Sequence, residues 1–452
     1  RVMKRLPLVL VLGLAPLAGC NDVATPPDPP LEPSIDAQLR ASIGNWGIVP
    51  IGPMPAQNPA QVELGRALFF DKILSGNRDI ACATCHEVST SLGDGRSLSV
   101  GTGGTGVGPA RRLGPGRQFT PRSAPSLLNT GLGLFYIFWD LRLSGAHGQF
   151  VTDSNVTLPP GLPNILTAQA MLPVLNRQEM RGVPGDLDRF GNPNELALIG
   201  DEQSAEVWNA IMNRLLAVSE YVAMFNTAFP GSGRPRFEHA ARALATFQME
   251  EFTRTRSPFD RFLDRDDPAM TLEQKRGGLL FFGRAQCSSC HNGPFLGGQG
   301  LANVGAPQIG PGGTRQPPLD LGRGEHEGNE FYRFAFRVAP LRNVELTAPY
   351  FHSGAYRTLE AVVRHYNDVP EALRQYDPSQ LDPDVRPWYH GDPATVGAIL
   401  QTLDGRFQRP LELTDTEISE LVAFLRALTD PAARDLRSAA PARVPSGLPV
   451  RE

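Results

Sequence analysis

Cys82-Ala83-Thr84-Cys85-His86 and Cys287-Ser288-Ser289-Cys290-His291 decide how this chain is read. Each spells C-x-x-C-H, the attachment pattern of a c-type haem. Two thiols separated by two residues can reach the two vinyl groups of one porphyrin, and the next residue sets an imidazole under the iron. A lone C-x-x-C also serves redox dithiols and zinc knuckles. The adjoining histidine sharpens the pattern, and the second copy sharpens it further. Two covalent haems are expected, with zinc or a disulfide pair as the competing uses of these thiols.

The motifs take four of the 5 cysteines, and Cys20 has its own context. Met3-Lys4-Arg5 is a basic start, Leu6 to Leu14 a short apolar stretch, and Leu17-Ala18-Gly19-Cys20 a close in small residues. That is too short to span a bilayer and has the shape of a secretory signal over residues 1–19. Leu-Ala-Gly-Cys resembles a bacterial lipobox, which implies lipidation of Cys20 and a membrane anchor; a chance cysteine after an ordinary signal is the alternative. The Pro-rich run from residue 20 to 35 reads as a stiff tether. The expectation is a protein of the bacterial periplasm or cell envelope, held at a membrane face. The net charge is −4, and no basic stripe accompanies it, which argues against a nucleic-acid partner.

The mature chain is long enough for two domains. The motifs lie about 205 residues apart, and their approaches are alike. Leu64-Gly65-Arg66-Ala67-Leu68-Phe69-Phe70 precedes one; Arg276-Gly277-Gly278-Leu279-Leu280-Phe281-Phe282 precedes the other. Such repetition predicts duplicated modules, each with a helix that packs aromatic rings at a haem edge. Helical patterns follow at residues 205–229, 237–252 and 359–366. Thr271 with Gln274, and Thr414 with Glu417, form capping boxes, the latter opening a helix with Ile418, Leu421, Val422, Leu425 and Leu428 on one face. Strand signal is slight. Gly 46 and Pro 42 favour long ordered loops, residues 101–116 among them. The fold expected is mainly α, two cytochrome c-like haem lobes with long loops. Residues 36–255 form the N-terminal haem domain, 256–435 the C-terminal one, and 436–452 a loose tail.

Several stretches together resemble the bacterial di-haem cytochrome c peroxidase family, which includes the MauG-type enzymes. They are Leu68-Phe69-Phe70-Asp71, the two C-x-x-C-H motifs, Phe138-Trp139-Asp140, Gln169 to Met180, Leu341-Arg342-Asn343, and Ala348-Pro349-Tyr350-Phe351-His352-Ser353-Gly354. The resemblance implies a haem peroxidase whose N-terminal haem meets hydrogen peroxide and whose C-terminal haem handles electrons. It implies His86 and His291 as proximal ligands, Trp139 as an aromatic relay between the haems, and Gln169, Pro173, Glu179 and Met180 as the peroxide pocket. A buried core tryptophan and a surface glutamate are the plain alternatives for Trp139 and Glu179. A carboxyl in a poorly solvated pocket can take a proton from one peroxide oxygen and deliver it to the other. Thr347 and Pro349 match carbonyl ligands of a calcium ion, whose third protein ligand falls on Ser123 here.

Two departures stand out. Many relatives carry a blocking histidine in a Ser-Val-Gly-His-Gly-like loop, and this chain has Ser99-Val100-Gly101-Thr102-Gly103. No histidine lies between His86 and His147, and His147 falls in an apparent insertion, residues 144–164. An open, peroxide-ready site at His86 is expected. At the second haem, electron-transfer members use methionine, and no methionine follows Met270. The matching position is Tyr366, as in MauG-type enzymes, with His365 and His352 as rivals. Neighbours on a helix point about 100° apart, so only one of residues 365 and 366 can face the iron. A phenolate favours ferric and higher states, which tilts the reading toward oxidation of a protein or other donor. The alternatives are a conventional cytochrome c peroxidase with a small cytochrome or cupredoxin donor, and a non-enzymatic di-haem electron carrier.

Overall fold

The computed structural model describes residues 33–153, 156–327 and 330–451. The signal segment, Cys20 and nearly all of the tether lie outside these residues. Each attachment motif is preceded by a helix ending in Phe-Phe. Pro59–Phe70 begins at Asn58, whose side chain accepts from the Ala60 and Gln61 N–H groups, and Leu272–Phe282 begins at the Thr271/Gln274 capping box. Each crosses a later helix, Phe237–Glu251 and Asp415–Ala427 respectively.

The crossings are close because the same repeat position is glycine in both. A Cβ on Gly65 would sit 2.0 Å from the Ala243 carbonyl oxygen, and one on Gly277 would sit 1.8 Å from that of Glu420. The phenylalanines then pack alike. Phe69 lies 5.4 Å from Phe247, and Phe281 lies 5.1 Å from Phe424, centroid to centroid. Phe70 and Phe282 lie 6.2 and 5.7 Å from the same two rings. The repeat in sequence is a repeat in packing, and it builds two mainly helical lobes, each around its own apolar core.

Strand among the described residues is confined to a three-stranded and a two-stranded antiparallel sheet. The first comprises Tyr136–Ile137, Leu143–Ala146 and Gln149–Thr152, so the start of the apparent insertion is a β-hairpin with His147 exposed at its tip. Among the described residues no helix is long and apolar enough to cross a membrane.

Three expectations need correction. The single helix over residues 205–229 is two, Ser204–Leu216 and Ser219–Ala228. Val218, β-branched and extended, breaks it, and the turn lets Tyr221 and Phe225 enter the core. The tail, described from residue 436 to 451, is not loose. Leu436, Ala439, Val444 and Leu448 are buried in the N-terminal lobe, and Ser446 donates to Asp71 Oδ1 at 2.6 Å. Their irregular apolar spacing carries no helical or strand period, so sequence pattern cannot reveal the docking. Conversely, helix Ile35–Gly44 belongs to the other lobe: Leu39 and Ile43 enter the C-terminal core, and Asp36 pairs with Lys275 at 2.6 Å. Each haem-bearing segment is completed by the opposite end of the chain.

Candidate active site

The first attachment motif is a single helical turn, Cys82–Cys85, and the His86 N–H donates to the Cys82 carbonyl at 2.9 Å. The second motif makes the same bond, His291 to Cys287, also at 2.9 Å. Each imidazole is oriented in the same way. His86 Nδ1 meets the Leu92 carbonyl at 2.9 Å, and His291 Nδ1 meets that of Leu296 at 3.1 Å. Leu92 and Leu296 both adopt positive φ, 66° and 53°. That conformation is unusual for leucine, and here it sits where a carbonyl is presented to a ring nitrogen. With Nδ1–H donating, Nε2 carries the lone pair that a metal requires. Burial lowers the pKa of both histidines, His291 to about 4, which keeps them neutral.

These residues fit a c-type haem. The second motif opens on a largely apolar cavity of about 270 Å³ whose walls include Cys287, Cys290, His291 and Tyr366. The thiols are not paired as disulfides. Burial pushes Cys82 and Cys287 up to about 12, so both are neutral thiols in the unliganded chain. Among the described residues no group of three or more His, Cys, Asp or Glu side chains converges as a zinc site would.

The predicted peroxide pocket comes from one continuous stretch. Gln169 is half-buried on the short helix Ile165–Ala170, which the Asn164 side chain caps. Pro173 opens a 3-10 turn. Glu179 and Met180 lie on a single π-helical turn, Arg177–Arg181, a feature frequent at functional sites. The Asn176 side chain accepts from the Gln178 and Glu179 N–H groups at 2.9 and 3.0 Å. Met180 is buried in the lobe's core, so it packs the turn in place. Burial raises the pKa of the Glu179 carboxyl, with Arg142 opposing the rise. The carboxylate is close enough to Cys82 and Cys85 to act on both electrostatically, which places it at the first attachment motif.

The loop with the missing histidine is docked against this turn. Thr102 N–H donates to the Glu179 carbonyl at 2.8 Å, and the Thr102 hydroxyl donates to Asp79 at 2.8 Å. A Cβ on Gly101 would fall 1.8 Å from the Gln178 carbonyl oxygen, so only glycine allows this approach. His147, exposed on its hairpin, does not enter the site.

Trp139 stands where the lobes meet. Its indole donates to the Ser123 carbonyl at 3.1 Å, and its own carbonyl accepts from Arg337 N–H at 2.7 Å. It shares the cavity of the second motif with Ser123 and Pro125, and the Pro125 carbonyl is a second backbone partner of His86. Next to it, sequence reasoning missed a buried ion cluster. Asp140 takes Arg122 at 2.6 Å, His326 at 2.9 Å and Arg142 at 3.1 Å, which holds its carboxyl well below the usual range. Arg142 is thus anchored by Asp140 while its charge acts on Glu179. The one available signal was that Asp140 closes the Phe138-Trp139-Asp140 stretch.

At the second site, the helix Leu359–Asn367 separates the rival ligands. Tyr366 lines the cavity together with Cys287 and Cys290, and burial raises the pKa of its phenol. Both ring nitrogens of buried His365 are engaged elsewhere: Nδ1 with the Tyr356 hydroxyl at 2.9 Å and Nε2 with the Val304 carbonyl at 2.8 Å. His352 lines the cavity but stacks on Phe336 at 3.5 Å between centroids. Thr347 and Pro349 also line it. The Ser123 hydroxyl donates to the Phe351 and His352 carbonyls, and what this place offers a cation is neutral oxygen.

Two attachment motifs on duplicated helical lobes, each with an oriented imidazole, define a di-haem c-type cytochrome. The comparisons give the family. The profile described as di-haem cytochrome c peroxidase matches residues 59–268. The chain is 32% identical over 361 residues to the cytochrome c551 peroxidase of Pseudomonas aeruginosa, covering 79% of this chain and 83% of that one. It is 29% identical to the methylamine utilization protein MauG of Methylorubrum extorquens, covering 88% and 86%. Among solved structures, a MauG-like protein associated with microbial copper homeostasis superposes with a TM-score of 0.57 at 25% identity, over 85% of this chain and 94% of the other. The chain belongs to the di-haem cytochrome c peroxidase family and is a haem peroxidase.

Proposed function

We propose that this peroxidase reduces hydrogen peroxide above His86, with Glu179 as the acid–base residue, and passes the oxidising equivalents by Trp139 toward a second haem held by His291 and Tyr366. The single observation that carries the reading is Glu179, a carboxyl with raised pKa beside the first motif, on a turn already clamped by the Thr102 loop. When bound, the haem supplies a Lewis-acidic iron for peroxide and electrons for cleaving its O–O bond. Glu179 takes a proton from one oxygen and returns it to the other as that bond breaks, releasing water. Gln169 and Pro173 shape the pocket, Met180 supports the turn, and Asp140 positions Arg142.

Apart from helix Ile35–Gly44, which packs in the other lobe, the residues up to 255 are the peroxide-reducing domain and 256–435 the electron-handling one, each clasped by the far end of the chain. The hydrogen bonds of His365 support Tyr366 as the sixth ligand. A tyrosine there disfavours a small cytochrome donor and favours a protein side chain or other donor. Cys20 would hold the protein at a membrane of the bacterial cell envelope. Electron paramagnetic resonance of the oxidised, haem-loaded protein tests the core of this. One high-spin and one low-spin signal are expected; two low-spin signals would make the protein an electron carrier and overturn the proposal.

A further inference from the structure

The chain has 8 tyrosines, and Tyr366, Tyr356, Tyr376 and Tyr389 form one line. From Tyr366 at the cavity, the ring of Phe351 is 5.9 Å away, and Phe351 is 5.2 Å from Tyr356. Tyr356 is 5.4 Å from Tyr376, and Tyr376 is 5.2 Å from Tyr389. A second connection from Tyr366 to Tyr356 runs through His365, at 5.5 and 5.3 Å. Tyr356 and Tyr376 are buried; Tyr389 is half-buried beside half-buried Trp388, its hydroxyl lying over the bare backbone of Gly391.

Core packing alone would be met as well by phenylalanine, which has no polar atom to satisfy. Here each buried hydroxyl has to be supplied with a partner. Tyr356 donates to His365 Nδ1 at 2.9 Å, and Tyr376 donates to the Ala355 carbonyl at 2.6 Å. What the phenols add over phenyl rings is that they can be oxidised by one electron. We propose that this line conducts one-electron oxidation from the second attachment site to the surface at Tyr389, where small phenolic donors are oxidised.

The inference rests on the peroxidase reading above. Reducing one hydrogen peroxide to two waters takes two electrons and two protons. Tyr389 gives one electron inward through Tyr376 and Tyr356 and releases its phenolic proton to solvent, becoming a neutral tyrosyl radical. A donor phenol returns one electron and one proton to Tyr389 and leaves as a phenoxyl radical. Two such rounds balance one peroxide. The protons of Tyr356 and Tyr376 remain in their hydrogen bonds.

The test mixes haem-loaded full-length protein with hydrogen peroxide and 2-methyl-2-nitrosopropane as spin trap, then maps the adduct by peptide mass spectrometry. Oxidation of 2-methoxyphenol is followed in parallel. Wild-type protein should carry the trap on Tyr389. Tyr376→Phe should lose it and oxidise 2-methoxyphenol several-fold more slowly, while its peroxide-induced absorbance change keeps the wild-type rate; thermal unfolding confirms that the variant is folded. Unchanged 2-methoxyphenol oxidation in Tyr376→Phe and Tyr389→Phe overturns the route. So does an absorbance change without trap on Tyr389, which leaves the peroxidase reading intact. No absorbance change in the wild type overturns both.

Discussion

Replacing Glu179 with glutamine keeps the side chain's shape and removes its ability to carry a proton. A positioned acid–base group contributes about 10²–10⁴-fold to rate. At about 1.36 kcal/mol per tenfold, that is roughly 2.7–5.4 kcal/mol of barrier. The structure favours the larger end of that range. Burial raises the Glu179 pKa and the Arg142 charge opposes that rise, the pair of influences that suits a group meant both to accept and to donate. The Thr102 loop docks against the Glu179 backbone, and no described histidine stands ready to substitute.

The assay is stopped-flow kcat/KM for peroxide across pH. Wild-type rate should rise with pH through the raised Glu179 pKa as the basic form appears, and Glu179→Gln should lose both the rate and that limb. Stability should move the other way. Below the ordinary carboxyl value of 4.5, Glu179 is protonated folded or unfolded and contributes no difference. As pH climbs from there through the raised folded value, the folded state holds the extra proton and stability falls. Glu179→Gln never ionises, so it should match wild type in acid and unfold at higher temperature at neutral pH. A variant within tenfold of wild-type kcat/KM, or one that keeps the pH limb, would refute the assignment.

Other expectations follow from packing and ligation. Gly277→Ala and Gly65→Ala place a Cβ 1.8 and 2.0 Å from backbone oxygen, so each should lower the thermal unfolding temperature. Overpacking costs about 1–3 kcal/mol or more, beyond the roughly 1 kcal/mol that alanine gains in helix propensity; unchanged melting would show that the helices can slide apart. Tyr366→Phe should alter the absorption and paramagnetic spectra of one haem only, and His365→Ala should leave that ligation in place; the reverse outcome would make His365 the ligand. Truncation after Arg434 exposes the sites of Leu436, Val444 and Leu448, each worth about 1.5–3 kcal/mol of burial. The denaturant midpoint should drop, and an unchanged midpoint would mean that the tail only rests on the lobe.

Much of this was legible in the sequence because covalent and helical patterns are local. The C-x-x-C-H spacing, the repeated Phe-Phe, and the Thr271 and Thr414 capping boxes each depend on residues within a few positions, and each reappears in three dimensions. The alignment pairs Gly65 with Gly277, but that these two glycines carry the helix crossings is seen only in three dimensions. What escaped is non-local. The docking of residues 436–450 onto the first lobe depends on a partner surface some 370 positions away, as in the contact between Asp71 and Ser446. The Asp140 cluster joins residues 122, 140, 142 and 326, which no sequence window holds together.

The two lobes share helices, phenylalanines, attachment turns and imidazole anchors almost ring for ring, so what distinguishes them are the elements that face each motif. In the first lobe that element is the 165–181 stretch, which brings a carboxyl. In the second it is the helix Leu359–Asn367, whose register decides which side chain enters the cavity. The Thr358 side chain caps that helix by accepting from the Ala361 N–H at 3.1 Å, which fixes where the first turn starts. From that start, residue 366 meets the cavity and residue 365, about 100° around, meets Tyr356 and Val304. A slip of one residue would exchange phenol for imidazole at the cavity wall and leave Tyr356 without its acceptor. The bond between Tyr356 and His365 holds the imidazole in place and leaves the phenol as the helix's group at the cavity.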